Sequence, residues 1–373
     1  MKVWLLTTMP YPYREWEIPF PFPGYMFDRS LGKALYEGYL ALYRRADDLG
    51  FDGICVAEHH SGKTGIDPSP NLMAAVLAKQ TERARIVVMG NCLPLHGHPI
   101  RLAEELAMVD VLSDGRLISG FIRGNAHEYA SYSVEAGKAR GMFEEAWELI
   151  VKAWTENEPF SWHGKHYRYD FVSIVPRPLQ RPHPQIVTAA STAESIEWAA
   201  KQHVSMMTGF STTAQLAETT AYYRKYAEEQ CGWMPQPENI GVSRHTYVGT
   251  TNAKAREECE KHVFDYYHET AARQEREMLR AIQNAKTTER SFSYKTQPHM
   301  GHPRGDKVDY ERLIRDGFCI IGDPDSVTQQ VKEQQRALGA GILVTYLPFG
   351  SMEPPQAIKS IELFAKEVTP NLR

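Results

Sequence analysis

Short apolar, β-branched runs alternate with longer amphipathic segments along the chain, and this alternation restricts the folds available to it. On the hydrophobic pattern we predict eight strands, at about residues 2–8, 53–58, 85–91, 117–122, 185–190, 204–209, 241–249 and 341–347. The segments between them carry apolar residues at spacings of three and four, which is typical of helices packed on one face. Eight strand–helix units in regular order predict an α/β fold, a closed (β/α)8 TIM barrel that works at the C-terminal ends of its strands.

A doubly wound dinucleotide-binding fold is the other α/β arrangement, and it requires a GxGxxG turn after the first strand. That turn is absent. The stretch SGKTG at residues 61–65 lacks the first glycine of a phosphate loop, because that position is Ala57. A length of 373 residues suits one barrel with insertions, so we predict a single domain over residues 1–373.

Two segments depart from the alternation. Residues 10–30, PYPYREWEIPFPFPGYMFDRS, combine several prolines with many aromatic residues, and we predict that they form the wall of a pocket. Residues 287–309 are polar and rich in Gly, Pro and Lys. A loop of this length is either a functional lid or a disordered insertion, and both alternatives stay open.

Composition limits the partners and the compartment. The cysteines are odd in number and widely spaced, without zinc-like spacing, which predicts a reduced, cytoplasmic protein; they are Cys55, Cys92, Cys231, Cys259 and Cys319. The N-terminal residues do not resemble a signal peptide, and no apolar stretch approaches membrane-spanning length, so we expect a soluble protein without a membrane partner. A net charge of −4 without long runs of one sign gives no reason to expect nucleic acid.

The stretch CVAEHH, residues 55–60, ends the second predicted strand with a carboxylate and two imidazoles. Successive side chains of an extended backbone point to opposite faces, so His59 and His60 cannot easily share a metal ion. With no HExxH motif and no dense carboxylate cluster, we predict no metal site. One histidine should face inward, where it can act as a general base or bind a reactive intermediate. The alternative, that both histidines only cap the strand, stays open.

The stretch ASTAES, residues 190–195, turns a predicted strand into a helix. Backbone amides at a helix N-terminus, together with hydroxyls, form an anion site suited to one phosphate. The hydroxyls offered here belong to Ser191, Thr192 and Ser195. Ser191 with Glu194 also predicts a capping box, which is compatible with the anion site. Arg123 and Arg140 can each offer a guanidinium group to the phosphate, while solvated arginine is the commoner alternative.

These residues belong to longer segments that resemble the bacterial luciferase-like flavin-dependent monooxygenases. The similar segments are VAEHH, PSPNLMAAVLAKQTERARIVVMGNCLPLHGHPIRLAEELAMVDVLSDGRLISGFIRG, VPRPLQRPHPQIVTAASTAESIEWAA, IIGDPDSV and LFAKEVTPNLR. Their order and spacing carry the resemblance over nearly the whole chain. The resemblance implies a TIM-like barrel that binds reduced FMN at its C-terminal mouth and activates O2 as a flavin C4a-hydroperoxide.

The resemblance also implies roles for single residues. His59 matches the catalytic histidine beside the reactive edge of the flavin, and Ile122 replaces the reactive cysteine of the luciferase, which argues against light emission. Arg123 and Arg140 match the arginines that bind the flavin phosphate. The remaining cofactor-binding positions are expected at Asn91, Cys92, Ala190, Ser191, Thr192, Ser195 and Gly209. Asn91 and Cys92 fall where the luciferase has a non-proline cis peptide under the flavin ring, although this stretch is two residues shorter here.

The resulting hypothesis is a two-component monooxygenase. A separate NAD(P)H:flavin reductase would supply FMNH2, and the chain, expected as a homodimer from the family, would use O2 to oxygenate a small apolar or aromatic molecule. We expect a substrate pocket formed by Tyr11, Phe20, Tyr25, Phe210 and Phe349, although core packing explains most aromatic residues equally well. Two alternatives stay open: an F420-dependent hydride-transfer oxidoreductase, and a non-catalytic flavin-binding partner subunit.

Overall fold

The structure, a computed structural model, describes residues 1–12, 21–62, 65–267 and 308–372, with all side chains in these ranges except those of residues 126 and 127. The strands are β1 (Lys2–Leu6), β2 (Gly53–Val56), β3 (Arg85–Cys92), β4 (Leu117–Ile122), β5 (Phe160–His163), β6 (Arg168–Val172), β7 (Gln185–Ala189), β8 (Ser205–Gly209), β9 (Ile240–Val248), β10 (Cys319–Gly322) and β11 (Ile342–Tyr346).

The helices lie between the strands in the predicted alternation. They are α1 (Arg29–Asp48), α2 (Pro70–Gln80), α3 (Pro99–Leu112), α4 (Ala126–Tyr132), α5 (Ala136–Thr155), α6 (Ala193–Lys201), α7 (Thr213–Cys231), α8 (from 252 to the end of the described range at 267), α9 (Tyr310–Arg315), α10 (Pro324–Leu338) and α11 (Pro354–Leu363). Several helices begin at a side-chain cap, such as Asp28, whose carboxylate accepts from the backbone amides of Ser30 and Leu31 at 2.8 and 2.9 Å.

Eight parallel strands close into a barrel in the order β1-β2-β3-β4-β7-β8-β9-β11, and β11 pairs with β1 to complete the ring. These are the eight strands predicted from the sequence, with bounds that agree to within two residues, so the predicted barrel is confirmed. Because helices cover its outer face, most residues of the barrel strands are buried on both sides, and the strands are mainly apolar, with exceptions such as Arg244 and His245 on β9.

Three strands were not predicted. β10 pairs with the C-terminal half of β9, from Cys319 opposite His245 to Gly322 opposite Val248, so it extends the wall beyond the end of β8. β5 and β6 form an antiparallel hairpin outside the barrel, in which most side chains are partly or fully exposed.

Two apolar cores lie on either side of the barrel wall. The larger one lies between the strands and the helices, and the smaller one fills the barrel interior with side chains that include Trp4, Val87 and Val344. Gly53 on β2 makes room for the indole of Trp4, because a Cβ at this glycine would lie 2.7 Å from the ring. The bottom of the barrel is therefore filled, and only its C-terminal end can offer a site.

Candidate active site

The two neighbouring histidines after β2 have different surroundings. The ring of His60 is buried, with Nε2 lying 2.8 Å from Glu58 Oε1 and Nδ1 lying 3.1 Å from the Tyr132 hydroxyl. His59 keeps 26% of its side chain exposed, and its Nδ1 lies 3.7 Å from Glu128 Oε1. The alternation of the extended backbone thus gives the two imidazoles separate environments, as predicted.

Glu58, which follows β2, is hydrogen-bonded to the end of β3. Its buried carboxylate accepts a hydrogen bond from the backbone amide of Cys92 at 2.7 Å and lies 3.3 Å from His96 Nε2 as well as against His60. Burial by itself raises the pKa of Glu58, but the hydrogen bonds from His60, His96 and Cys92 outweigh it and lower the pKa to about 2. Glu58 is therefore ionised at neutral pH and holds His60 in place.

Two arginines from different elements meet at the start of α6. Arg123 follows β4 and places Nη1 3.7 Å from Glu194 Oε2, while Arg140 on α5 places Nε 3.6 Å from Glu194 Oε1. Arg140 also donates from Nη2 to the Glu194 carbonyl at 3.4 Å, and from Nε to Glu144 at 2.6 Å. The side chains of Arg123 and Arg140 remain 36% and 24% exposed, so their guanidinium groups are accessible to a ligand.

The first turn of α6 adds hydroxyls and amides to this arginine pair. Thr192 is the N-cap and forms a capping box with Ser195, whose Oγ also accepts from the backbone amides of Ser191 and Thr192 at 3.2 and 3.1 Å. The predicted capping box of Ser191 with Glu194 is wrong by one residue, because the extended backbone continues through Thr192. Ala190 is buried beneath this turn. The donor set suits a phosphate monoester.

Asn91 and Cys92 do not reach the mouth with their side chains. Asn91 is fully buried and donates to Asn71 on α2 at 3.1 Å, and the Cys92 thiol donates to the carbonyl of Arg123 at 3.2 Å. Burial raises the pKa of the Cys92 thiol far above its ordinary range. The expectation of a cis bond at Asn91–Cys92 is wrong: the non-proline cis peptide joins Met89 and Gly90, within the irregular register between β3 and β4.

Aromatic rings form a wall around His245 near the end of β9. The His245 ring stacks on Tyr346 at 4.7 Å and lies 4.2 Å from Tyr266, 5.9 Å from Phe210 and 5.0 Å from Phe349. Phe210, which follows Gly209, and Phe349 both contact this ring, although Phe349 is 1% exposed and also belongs to the larger core. His245 was missed because it lies in the middle of the predicted strand 241–249, whereas the other candidates were sought at strand ends. We call Phe210, His245, Tyr266, Tyr346 and Phe349 the aromatic wall.

The other aromatic residues predicted to line the substrate pocket are Tyr11, Phe20 and Tyr25. Tyr25 is 88% exposed, and its place in the substrate pocket stays a prediction. Tyr11 is buried against Phe22 and Phe27, and its hydroxyl accepts from the Asp28 amide at 2.9 Å, which places it in the core. Phe20 lies outside the described residues, as does the predicted lid up to residue 307.

Sequence reasoning also missed Glu128 and Tyr132, the α4 side chains that contact His59 and His60. Their separation by four residues was the available signal. In the described ranges, no group of three or more histidines, cysteines or acidic residues is placed to hold a metal ion. None of the helices described there is both long and apolar enough to cross a membrane.

Comparison with known proteins gives the family. The sequence profile of the luciferase-like monooxygenases matches residues 28–341. The chain belongs to this family. The chain is also similar to the oxygenase component of a flavin-dependent trigonelline monooxygenase from Acinetobacter baylyi, with 30% identity over 260 residues, covering 68% of this chain and 71% of that one.

Solved structures of two other monooxygenases share the whole fold. A monooxygenase from Streptomyces bottropensis superposes with a TM-score of 0.78 at 25% identity, covering 100% of both chains. The oxygenating constituent of the Pseudomonas putida 3,6-diketocamphane monooxygenase, crystallised in complex with FMN, superposes with a TM-score of 0.77 at 22% identity, covering 99% and 98% of the two chains.

Proposed function

We propose that the chain is a flavin-dependent monooxygenase that binds reduced FMN at the barrel mouth and uses O2 to oxygenate an apolar or aromatic organic substrate. It would act as the oxygenase component of a two-component system. The observation that carries this proposal is the meeting of Arg123 and Arg140 at the capped N-terminus of α6. FMN ends in a phosphate monoester, and this donor set fits such a group.

The residues at the barrel mouth would have different roles in such an enzyme. Arg123, Arg140, Thr192, Ser195 and the first amides of α6 would hold the phosphate. Reduced FMN, when bound, supplies the electrons that activate O2. His59, with part of its ring exposed, would bind or move a proton at the reacting oxygen.

The aromatic wall would exclude water and favour an apolar substrate. Its rings bring large apolar surfaces together around His245, and Tyr346 is fixed further by the 2.8 Å hydrogen bond between its hydroxyl and Thr8 Oγ1. A wall fixed in this way favours flat or compact molecules that can stack on it.

Two relatives support a separate source of reduced flavin. The trigonelline enzyme is described as an oxygenase component, and the diketocamphane enzyme as an oxygenating constituent with FMN bound. We therefore propose an NAD(P)H:flavin reductase as the partner. All five cysteines are free thiols, which suits the cytoplasm, where a reduced flavin would be produced.

We also propose a homodimer. Helices α2 and α3 expose an apolar surface that includes Leu72 (71% exposed), Val76 (41%), Met108 (50%) and Val111 (41%). Because α2 and α3 pack against each other, exposed apolar side chains on both helices favour an interface there. Leu72→Lys combined with Met108→Lys should convert a dimer to a monomer in light-scattering chromatography, whereas Phe171→Lys, at a residue 79% exposed on β6, should not. A monomeric parent, or a double variant that stays dimeric, would contradict the dimer or its placement.

The central test is oxygenation with photochemically reduced FMN and O2. We expect the parent chain to bind FMNH2 and to form product from at least one member of a panel of aromatic and terpenoid ketones, aldehydes and heteroaromatics. His59→Ala should bind flavin and form little product. No product from any substrate, with His59→Ala indistinguishable from the parent, would contradict the proposal. Anaerobic reduction of F420 by an alcohol would support hydride transfer instead, and failure to bind any flavin would support a non-catalytic role.

A further inference from the structure

Helix α4 supplies one polar side chain to each of the two neighbouring histidines. Glu128 and Tyr132 are four residues apart and therefore lie on the same face of the helix. Glu128 Oε1 lies 3.7 Å from Nδ1 of His59, and the Tyr132 hydroxyl lies 3.1 Å from Nδ1 of His60. The loop after His60 is joined to the same helix by a 3.1 Å hydrogen bond from Ser131 to Ser61.

The carboxylate of Glu128 is fixed in place. Its side chain is 2% exposed, and its Oε2 accepts from the backbone amide of Asn125, the N-cap of α4, at 3.0 Å. The preceding Gly124 has φ of +84°, and a Cβ there would lie 2.1 Å from the Cys92 sulfur and 3.1 Å from Glu128 Oε2. Only glycine suits this turn, which directs Oε1 of Glu128 toward His59.

The imidazole of His59 is oriented with one nitrogen inside the protein. Its Nδ1 is buried and makes no hydrogen bond, while 26% of the side chain as a whole is exposed. The exposed surface therefore belongs to the rest of the ring. A gap of 3.7 Å between Nδ1 and Glu128 Oε1 is longer than a hydrogen bond by less than 1 Å, and such contacts often tighten when a ligand binds.

A carboxylate oxygen facing Nδ1 favours the tautomer that carries its proton on Nδ1 and leaves the lone pair on Nε2. We propose that Glu128 is a positioning residue that keeps Nε2 of His59 as the proton acceptor at the reacting centre. The inference rests on the proposed function and adds a residue to it. When Nε2 takes a proton from the reacting group, the ring carries one proton on each nitrogen, no proton passes to Glu128, and the proton later leaves from Nε2.

The neighbouring pair of Glu58 and His60 has different surroundings from the pair of Glu128 and His59. Glu58 contacts His60 Nε2 at 2.8 Å, accepts from the Cys92 amide at 2.7 Å and lies 3.3 Å from His96, so its charge is shared among several donors in the wall. His60 has a partner on both nitrogens and is buried. Of the two pairs, only Glu128 with His59 leaves a ring edge exposed for chemistry.

Glu128→Gln should invert the tautomer of His59. The backbone amide of Asn125 needs an acceptor, so the amide oxygen of the new side chain should take the place of Oε2. Its NH2 group would then face Nδ1 of His59, where it favours the tautomer with the proton on Nε2. Glu128→Asp keeps the charge and should keep the original tautomer. Tyr132→Phe removes the partner of His60 on the same helix and should leave His59 unaffected.

The measurement is a long-range proton–nitrogen spectrum of the full-length, flavin-free chain with ring-labelled histidine, with the His59 signals assigned by their loss in His59→Ala. We expect the parent, Glu128→Asp and Tyr132→Phe to show the proton of neutral His59 on Nδ1, and Glu128→Gln to show it on Nε2. With reduced FMN, Glu128→Gln should lower kcat about 10²-fold or more while the Kd for FMN changes less than twofold.

The parent spectrum alone can overturn the inference, since a proton on Nε2 of neutral His59 in the parent refutes it even if Glu128→Gln does not fold. An unchanged tautomer in a folded Glu128→Gln variant refutes it as well. Because the spectrum is recorded without flavin, a chain that binds no FMN contradicts the proposed function independently of the tautomer result.

Discussion

Arg123→Ala removes one of the two guanidinium groups at the N-terminus of α6, and we expect a selective loss of affinity for flavin that carries a phosphate. A hydrogen bond to a charged group contributes about 1.5–3 kcal/mol. Binding must first displace the contact of Arg123 with Glu194, which is 3.7 Å long with side chains 36% and 61% exposed. Such a contact contributes about 0–1 kcal/mol. With about 0.5 kcal/mol taken for this contact, the net loss is about 1–2.5 kcal/mol, or about 5- to 60-fold in Kd.

Fluorescence-quenching titrations with FMN and riboflavin test this directly, because the two flavins differ only in the phosphate. The Kd for riboflavin should change less than twofold in Arg123→Ala. Arg101→Ala is the matched control, since Arg101 is 73% exposed on α3 and pairs with Glu105. Higher ionic strength should weaken the preference of the parent for FMN, because the arginines are partly solvated. An equal loss for both flavins, or an unchanged Kd for FMN, would refute the phosphate site.

Three further predictions concern other parts of the molecule. His59→Ala should lower kcat about 10²- to 10⁴-fold with the Kd for FMN within twofold of the parent; a larger loss of affinity than of turnover in rapid-mixing experiments would contradict this. Trp154→Ala should lower the free energy of unfolding in urea by about 3–5 kcal/mol, because the ring is buried and donates to the Ala103 carbonyl at 3.0 Å; a loss below about 1 kcal/mol would show a site that repacks easily. For Glu58, a folded-state pKa of about 2 against the ordinary 4.5 means that its stabilisation is complete above pH 4.5 and lost as the pH falls toward 2. Glu58→Gln should therefore lower stability at pH 6 and flatten the acid decline below pH 4.5, and parallel pH profiles for the two proteins would argue against this.

The barrel could be predicted from two patterns in the sequence. Its strands are buried on both faces and appear as short apolar runs, whereas its helices are buried on one face and carry apolar residues at spacings of three and four. β10 was missed because its four residues pair only with the C-terminal part of β9, outside the closed ring of eight strands. The hairpin of β5 and β6 was missed because it lies outside the barrel and follows neither pattern consistently. Strand bounds, by contrast, agreed to within two residues because Gly, Pro and polar residues end each run.

The site could be predicted where it depends on local chain geometry. The separation of His59 from His60 follows from backbone alternation, and the grouping of the Ser191, Thr192 and Ser195 hydroxyls follows from the start of a helix there, although the cap lies at Thr192 and not at Ser191. Positions set by tertiary packing could not be found in this way. Tyr25 belongs to an aromatic stretch whose composition does not show which side chains turn inward, and Glu128 lies on a seven-residue helix whose direction is set by the turn at Gly124.

The barrel rim is not level. β9 pairs with β11 as far as His245 and then continues for three more residues to Val248 beside β10. At about 3.3 Å per residue, β9 extends about 10 Å beyond its last residue paired with β11. On either side of residues 268–307, Tyr267 contacts His245 and Tyr310 contacts Cys259 on α8. An insertion between these two tyrosines would leave the register of the eight barrel strands unchanged, because none of the paired barrel residues lies between them.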